Sequence, residues 1–309
     1  MSFTSGNKGS ATMLTMLMAA VIVTVGIGFN WLVKEHMKAS EDLRNKAEAI
    51  LKARSAYDTL IYLILNGRVS QREIVTAIGS EISELKTLPL DGLKVPLSDD
   101  LYVQAQDSNG MLSLITMNTA AMDRLIRKVR GSDNASGIID SYLDWIDPDN
   151  FSRINGAEEF YYKGQGLPYT PRNYAIQYKE EVEFIKGMDR KLYAKIEPYL
   201  TMLPSTGFNP NTASDEVLMA YLNINGESLK TLKDYMSKKA ITSDLELFAL
   251  TGRMITREVE GVYFFPSPFI EITVSAGRPR SIYTIRAGLD TRQNMLSPYN
   301  ILYWRRNNR

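Results

Sequence analysis

The stretch that decides the fold is MSFTSGNKG, residues 1–9, followed by SATMLTMLMAAVIVTVGIGFNWLV, residues 10–33. The second segment contains no Asp, Glu, Lys, Arg or His. As a helix rising about 1.5 Å per residue it spans roughly 36 Å, enough to cross a bilayer core of about 30 Å. A secretory signal has a shorter apolar core, about 7–15 residues, with a small-residue cleavage site after it. Here the small-residue junction, Gly9-Ser10, lies before the apolar run. Cutting there would leave the membrane helix on the mature chain.

The helix is predicted to continue past Val33. No proline occurs between Ser10 and Asn66. Leu43, Ala47, Ile50, Tyr57, Ile61 and Ile64 recur at helical steps, and Lys34, Glu35, Lys38, Glu41, Asp42, Arg44, Lys46 and Glu48 supply a polar face. Asn66-Gly67 is a C-terminal stop signal. The expected element is one helix over residues 10–66, with the membrane-spanning part at 10–33.

Composition bounds what the rest can do. The chain has 309 residues, 44% of them hydrophobic, which is ample for a packed core. Its 36 basic and 35 acidic residues leave a net charge of +1, so nothing argues for a polyanionic partner such as nucleic acid. The chain has no cysteine, which excludes disulfides, thiolate catalysis and cysteine-ligated zinc. The lone histidine, His36, sits just past the apolar segment and reads as a solvated helix residue.

Along the remainder, Ser70–Leu85 is predicted as a short helix, because Ser70 and Glu73 have capping-box spacing. Leu101–Gln106 and Met111–Thr116 flank the turn sequence Asp107-Ser108-Asn109-Gly110 and read as a hairpin. From Asn118 to about Thr251 the pattern is mainly helical, with candidates at Ala121–Val129, Ile138–Ile146, Tyr178–Ile185, Asp189–Tyr199, Ser214–Leu222 and Glu227–Met236. Strand-like alternation returns at Phe269–Val274, and Ser281–Arg286 and Asn300–Arg305 are β-like. The order implies an α+β fold: a long helix, an antiparallel sheet, and a helical domain inserted into that sheet. One repeat stands out: Asn118-Thr119-Ala120 echoes Asn211-Thr212-Ala213, each pair expected to cap a helix.

The Gly9-Ser10 junction before the apolar run resembles the leader of type IV prepilins. A more specific resemblance follows from Asp144-Trp145-Ile146-Asp147-Pro148-Asp149, Asn155-Gly156-Ala157-Glu158-Glu159-Phe160-Tyr161-Tyr162, Pro168-Tyr169-Thr170-Pro171-Arg172-Asn173, Glu180-Glu181-Val182, Lys186-Gly187-Met188 and Asn209-Pro210-Asn211-Thr212-Ala213. In this order they resemble the minor pseudopilin K family of type II secretion systems, over nearly the whole chain. The resemblance implies a pilin-like fold whose insert comprises two SAM-like units, at 118–206 and 207–255. Head segments at 67–117 and 256–309 would complete the fold, after a leader at 1–9. It implies a place at the tip of the periplasmic pseudopilus, above the major pseudopilin filament, with minor pseudopilins I and J as partners. It also implies a bacterial inner-membrane anchor with the globular part in the periplasm. Prepilin peptidase would cut between Gly9 and Ser10 and methylate the new N-terminus. Ser10 departs from the Phe or Met usual there.

Position five of the mature chain would be Leu14, where most pilins carry Glu. That Glu can pair with a neighbouring N-terminal ammonium inside the membrane, offsetting a costly buried charge. Leu14 cannot, which suits a subunit with nothing above it; it also suits an ordinary lipid-facing residue.

Asp147 and Asp149, with Glu158 nearby, form an oxygen-rich stretch of the kind calcium takes. The spacing is not that of an EF-hand, and the same residues describe a capped helix end with solvated acids. The resemblance implies calcium in the helical domain, which makes Asp147, Asp149 and Glu158 the candidate ligands. Trp145, Phe160, Tyr161 and Tyr162 read as core of the insert. Other readings are a minor pilin of a type IV pilus-like machine, a membrane-anchored helix-hairpin-helix DNA binder, and a membrane-anchored hydrolase using Glu158-Glu159. The hairpin at Asn223-Ile224-Asn225-Gly226 has one glycine and its lysines are interrupted by acids, which disfavours DNA. Adjacent carboxylates with no nucleophile or cofactor motif nearby disfavour catalysis, so no enzyme activity is expected.

Overall fold

The computed structural model describes residues 8–76, 85–131, 135–253, 261–279, 281–293 and 295–308. It opens with a single helix, α1 (Lys8–Asn66), of 59 residues. Every residue from 11 to 44 is exposed. Burial begins at Ala49 and continues through Ala53, Ala56, Tyr57, Leu60, Ile61 and Ile64. The expected stripe therefore starts later than its periodicity suggests: Leu43 is exposed and so is Ala47. The contact begins with three alanines because small side chains let the helix axis approach the sheet closely. The helix stops where Gly67 donates its N–H to Leu63 at 2.8 Å and strand pairing begins.

Next comes a small antiparallel sheet, β1 (Arg68–Val69), β2 (Glu73–Val75) and β3 (Thr87–Pro89), in that order. Glu73 thus lies in a strand and does not close a capping box with Ser70. Ser70 donates its backbone N–H to the Glu73 carbonyl at 2.8 Å, a turn rather than a helix start. Residues 77–84 of that predicted helix lie outside the described residues.

The main sheet is five-stranded and antiparallel throughout. Its members are β4 (Val95–Ser98), β5 (Leu101–Asp107), β8 (Phe269–Ala276), β9 (Tyr283–Asp290) and β10 (Asn300–Asn308), in the spatial order β10-β9-β8-β5-β4. Alternation in β8 buries Ile270, Ile272 and Val274 against α1, with Ala105, Val103, Ile285 and Ala287 beside them. Tyr57 on the helix meets Trp304 on β10 edge to face at 4.6 Å. The three predicted C-terminal strands all form.

The predicted hairpin at 101–116 does not form. Residues 108–110 make one 3-10 turn, and Leu112–Ser113 (β6) pair in parallel with Leu200–Thr201 (β7). β5 pairs instead with β8, Asp107 opposite Ile270 and Leu101 opposite Ala276. Alternation identifies a strand but not its partner. Met111, Leu112 and Leu114 are all buried, so this segment is covered on both faces and could not serve as a half-exposed hairpin arm.

Between β5 and β8 the chain makes its helical excursion. The first group is α2 (Thr119–Arg130), α3 (Ser136–Ile146), α4 (Glu159–Gly164), a 3-10 helix at Lys179–Phe184, and α5 (Arg190–Ile196). The second is α6 (Asp215–Leu222), α7 (Gly226–Met236) and α8 (Asp244–Thr251). Each group has its own apolar core, one around Leu125, Ile138, Trp145, Tyr162 and Ile196, the other around Phe208, Leu218, Leu232 and Leu247. Tyr199 and Tyr221 touch both, and the Arg124 guanidinium on α2 donates to the Ala220 and Tyr221 carbonyls at the end of α6.

The Asn-Thr repeat is used unequally. Asn118 caps α2 by accepting the Ala121 N–H at 2.9 Å. Asn211 caps nothing: its amide exchanges two hydrogen bonds with the backbone of Ile241, at 2.8 and 2.9 Å. Ser214 caps α6 instead.

The excursion is closed at its base by one carboxylate. Asp107 is fully buried at the last residue of β5. Oδ1 accepts the backbone N–H of Asn109 (3.1 Å) and of Ser267 (2.8 Å); Oδ2 accepts Thr212 Oγ1 (2.8 Å) and Asn209 Nδ2 (3.3 Å). Burial pushes this carboxyl above the usual range, and the donors from Ser267, Asn109 and Thr212 oppose that push. Gly110 is required alongside it, because a Cβ there would strike the Thr212 backbone. Replacing Asp107 by Ala would leave two buried N–H groups without an acceptor. We expect D107A to lose about 3–5 kcal/mol of unfolding free energy, read from denaturant unfolding of the detergent-solubilised chain; a loss under about 1 kcal/mol would contradict this role.

Candidate functional site

Two features stand apart from packing. The first is the N-terminal half of α1. An 18-residue window within it has a mean hydropathy of 2.1, with none of it buried in the protein. Among the described residues it is the one helix long and apolar enough to cross a membrane. Gly9 and Ser10 lie in its first turn. Leu14, one turn further on, is exposed with its apolar neighbours Met13, Leu17 and Met18. An apolar surface bare on all sides of a helix needs lipid or other helices around it.

The second is an acidic cluster at the end of α3. Asp144 and Asp147 are three residues apart and so share a helix face. Asp147 caps the helix C-terminus, its N–H donating to Leu143 at 3.1 Å, and Pro148 prevents continuation. The loop then returns so that Glu158, just before α4, points at the same place. One carboxylate oxygen from each of Asp144, Asp147 and Glu158 lies within 4.8 Å of the others. Gly156 lies so close that a Cβ would collide with the Asp144 carboxylate.

The charge in this cluster is only partly compensated. The Arg153 guanidinium donates to Asp144 Oδ1 at 2.7 Å and to Asp147. The Arg153 N–H also donates to the Asp144 carboxylate at 3.2 Å. These contacts hold the arginine more firmly protonated. Three oxygens remain buried without a hydrogen-bond partner: Asp147 Oδ1 and both carboxylate oxygens of Glu158. Burial, reinforced by Asp144, Asp147 and Asp149, pushes Glu158 up to about 7. Buried polar atoms are nearly always satisfied, so converging orphaned oxygens fit a hard cation with oxygen preference.

Of the residues predicted from sequence, Asp147 and Glu158 are brought together. Asp149 is not among the three. It orders the loop instead, its side chain accepting the Phe151 N–H at 2.8 Å and its carbonyl accepting the Asn173 amide at 2.9 Å. Asp144 stands in its place. The available signal was the three-residue spacing to Asp147 on a helix ending at a proline. Trp145 and Tyr162 are buried as expected and meet edge to face at 5.6 Å, with Tyr161 half-buried. Phe160 is not core: it is 92% exposed, because the single turn of α4 buries Tyr162 on the opposite side.

The remaining quoted motifs hold this region in place. Arg172 and Glu181 form a two-pronged pair, both bonds 2.7 Å, while Glu181 also accepts the N–H groups of Gln177 and Tyr178. Lys186 clamps the loop through the Asn155 and Gly156 carbonyls at 3.2 and 2.9 Å.

Comparison with known proteins agrees with this architecture. The family model described as type II secretion system (T2SS), protein K, matches residues 103–205, which span β5 and the first helical group. The type II secretion system protein K of Pectobacterium carotovorum subsp. carotovorum is 24% identical over 271 residues, covering 80% of each chain. That of Aeromonas hydrophila is 27% identical over 228 residues, 68% of this chain and 66% of the relative. Among solved structures, a chain of the GspK-GspI-GspJ complex from enterotoxigenic Escherichia coli superposes with a TM-score of 0.56 at 17% identity, covering 89% of this chain and 99% of that one. Long helix, sheet and helical excursion are thus a fold shared with that solved chain, and residues 103–205 match the type II secretion system protein K family model.

Proposed function

We propose that this chain is the minor pseudopilin that caps the tip of a type II secretion pseudopilus, assembling with minor pseudopilins of the I and J types. The observation that carries the reading is the joining of a bare membrane-length helix to a head enlarged by about 160 residues between β5 and β8. The helix can pack among the anchors of neighbouring subunits. The enlarged head adds bulk that obstructs a further subunit above it. Leu14 supports the same place, since a subunit without a carboxylate at that position needs no ammonium partner above it. Prepilin peptidase would cut between Gly9 and Ser10, leaving the rest of α1 in the inner membrane and the head in the periplasm, above the major pseudopilin filament. We expect the detergent-solubilised full-length chain, co-expressed with its I-type and J-type neighbours, to purify as a 1:1:1 complex by light scattering. A chain that elutes alone would refute this partnership and favour a type IV pilus-like machine with other partners.

The acidic cluster supports calcium as a structural ion of the helical excursion. Asp144, Asp147 and Glu158 would supply carboxylate oxygens, and Arg153 offsets part of their charge when no cation is bound. A bound ion would satisfy the three orphaned oxygens in a protein that has no disulfide to brace such a loop. With calcium at about a hundred times its Kd the stabilisation is about 2.7 kcal/mol. Chelation should therefore lower the melting temperature by several degrees, and Glu158→Gln should remove the response to calcium while leaving the fold intact by circular dichroism. An unchanged melting temperature on chelation would count against the site.

A further inference from the structure

The outer face of the main sheet, opposite α1, carries a groove of about 740 Å3 that crosses the strands. Its floor is polar: Gln104 of β5, Thr273 and Ser275 of β8, and Thr284 of β9, the outward members of strands whose alternate residues are buried. Cations stand at both ends. Lys94 lies at the start of β4, and Arg286 and Arg305 lie on β9 and β10. The helical excursion leans over the second end through Glu180, which takes Arg305 in a two-pronged pair at 2.6 and 3.0 Å. Arg286 reaches its nearest carboxylate, Glu271, only at 3.8 Å, and Lys94 has no carboxylate partner among the described residues. Two under-compensated cations thus face each other along a floor of hydroxyl and amide groups.

We propose that this groove binds an extended, acidic polypeptide segment whose two carboxylates are four residues apart. The spacing follows from the sheet. From β4 to β9 is three strand steps, about 14 Å at about 4.8 Å each. An extended chain advances about 3.3 Å per residue, so residues i and i+4 stand about 13 Å apart on the same face. One carboxylate then meets Lys94, the other meets Arg286, and the backbone between them runs over the hydroxyls. A small anion such as phosphate can engage one end but not bridge both. The groove lies on a head held by its anchor beside other exported chains, so a neighbouring polypeptide is the source; this clause alone rests on the assembly reading above.

The test uses the full-length chain in detergent and fluorescent nine-residue peptides of Ser, Thr and Gly bearing two Glu. In one the acids are four residues apart; in an isomer of the same composition they are adjacent. We expect saturable binding of the spaced peptide, at least about fivefold tighter than the isomer. Raising the salt should weaken it. Lys94→Glu, a change at an exposed position, should reduce affinity about tenfold with an unchanged melting curve, and Arg286→Gln should reduce it less. Equal binding of the two isomers, no loss with Lys94→Glu, no saturable binding at millimolar peptide, or displacement by equimolar inorganic phosphate would overturn the proposal. The assay needs no partner subunit, so its failure leaves the co-purification test standing, and the reverse holds as well.

Discussion

The structure depends on the buried carboxylate of Asp107. A sheet interrupted by an excursion of about 160 residues faces a loop-closure problem, since the two ends must be held together for β5 and β8 to register. Asp107 holds both. It takes the N–H of Asn109 where the chain leaves and the N–H of Ser267 where it returns, and it also takes Thr212 and Asn209 from the second helical group. Four donors converge on one group, so a charged residue can sit at zero exposure. The excursion is therefore anchored at its root, and its orientation relative to the sheet is set by hydrogen bonds rather than by apolar area alone. Ser108 adds to the same root by donating to the Pro204 carbonyl at 2.7 Å and lying 2.9 Å from the Ser267 hydroxyl.

A second constraint acts along α1. One continuous helix must serve two environments, bare over residues 11–44 and packed on a sheet from Ala49 onward. The change is made by side-chain size as well as polarity. Alanines at 49, 53 and 56 bring the backbone close to β8 and β9, and larger buried residues follow from Tyr57 onward. Gly277 shows how tight the approach is: it adopts φ +112°, and a Cβ there would meet Ala49 at 2.9 Å. The helix runs without a break between its bare and its packed halves.

Much of this was legible in the sequence, for identifiable reasons. The charge-free run and the absence of proline give the long helix; alternation at Phe269–Val274 gives one strand, and the β-like composition of Asn300–Arg305 gives another. The helix start at Asn118 is readable because an acceptor residue precedes Ala120-Ala121-Met122. Pairing was not readable. The 101–116 region has the form of a hairpin, yet β5 pairs with a strand more than 160 residues away, and local pattern carries no information about such partners. Asn211 resembles Asn118 in sequence but serves Ile241, since what an asparagine binds depends on which backbone groups come near it after folding. In the acidic cluster, Asp147 and Glu158 were readable from composition. Asp144 lies in the helix predicted at Ile138–Ile146, but its convergence with Glu158 depends on how the intervening loop returns, which no local pattern carries.

The same logic explains how an irregular excursion keeps its shape without disulfides. Its loops are braced by ionic and backbone contacts that are individually modest but linked. Arg172 holds Glu181, which in turn holds two backbone N–H groups. Lys186 holds the two carbonyls next to Gly156, whose backbone lies against Asp144. Asp144 and Asp147 share Arg153, and Glu158 brings a third carboxylate that no protein donor satisfies. The Arg172 and Lys186 braces are complete within the chain, whereas Asp147 Oδ1 and both oxygens of Glu158 have no partner among the described residues. The network satisfies Asp144 and Arg172 and leaves both oxygens of Glu158 buried without a partner among the described residues, and the calcium ion proposed above would complete this last brace.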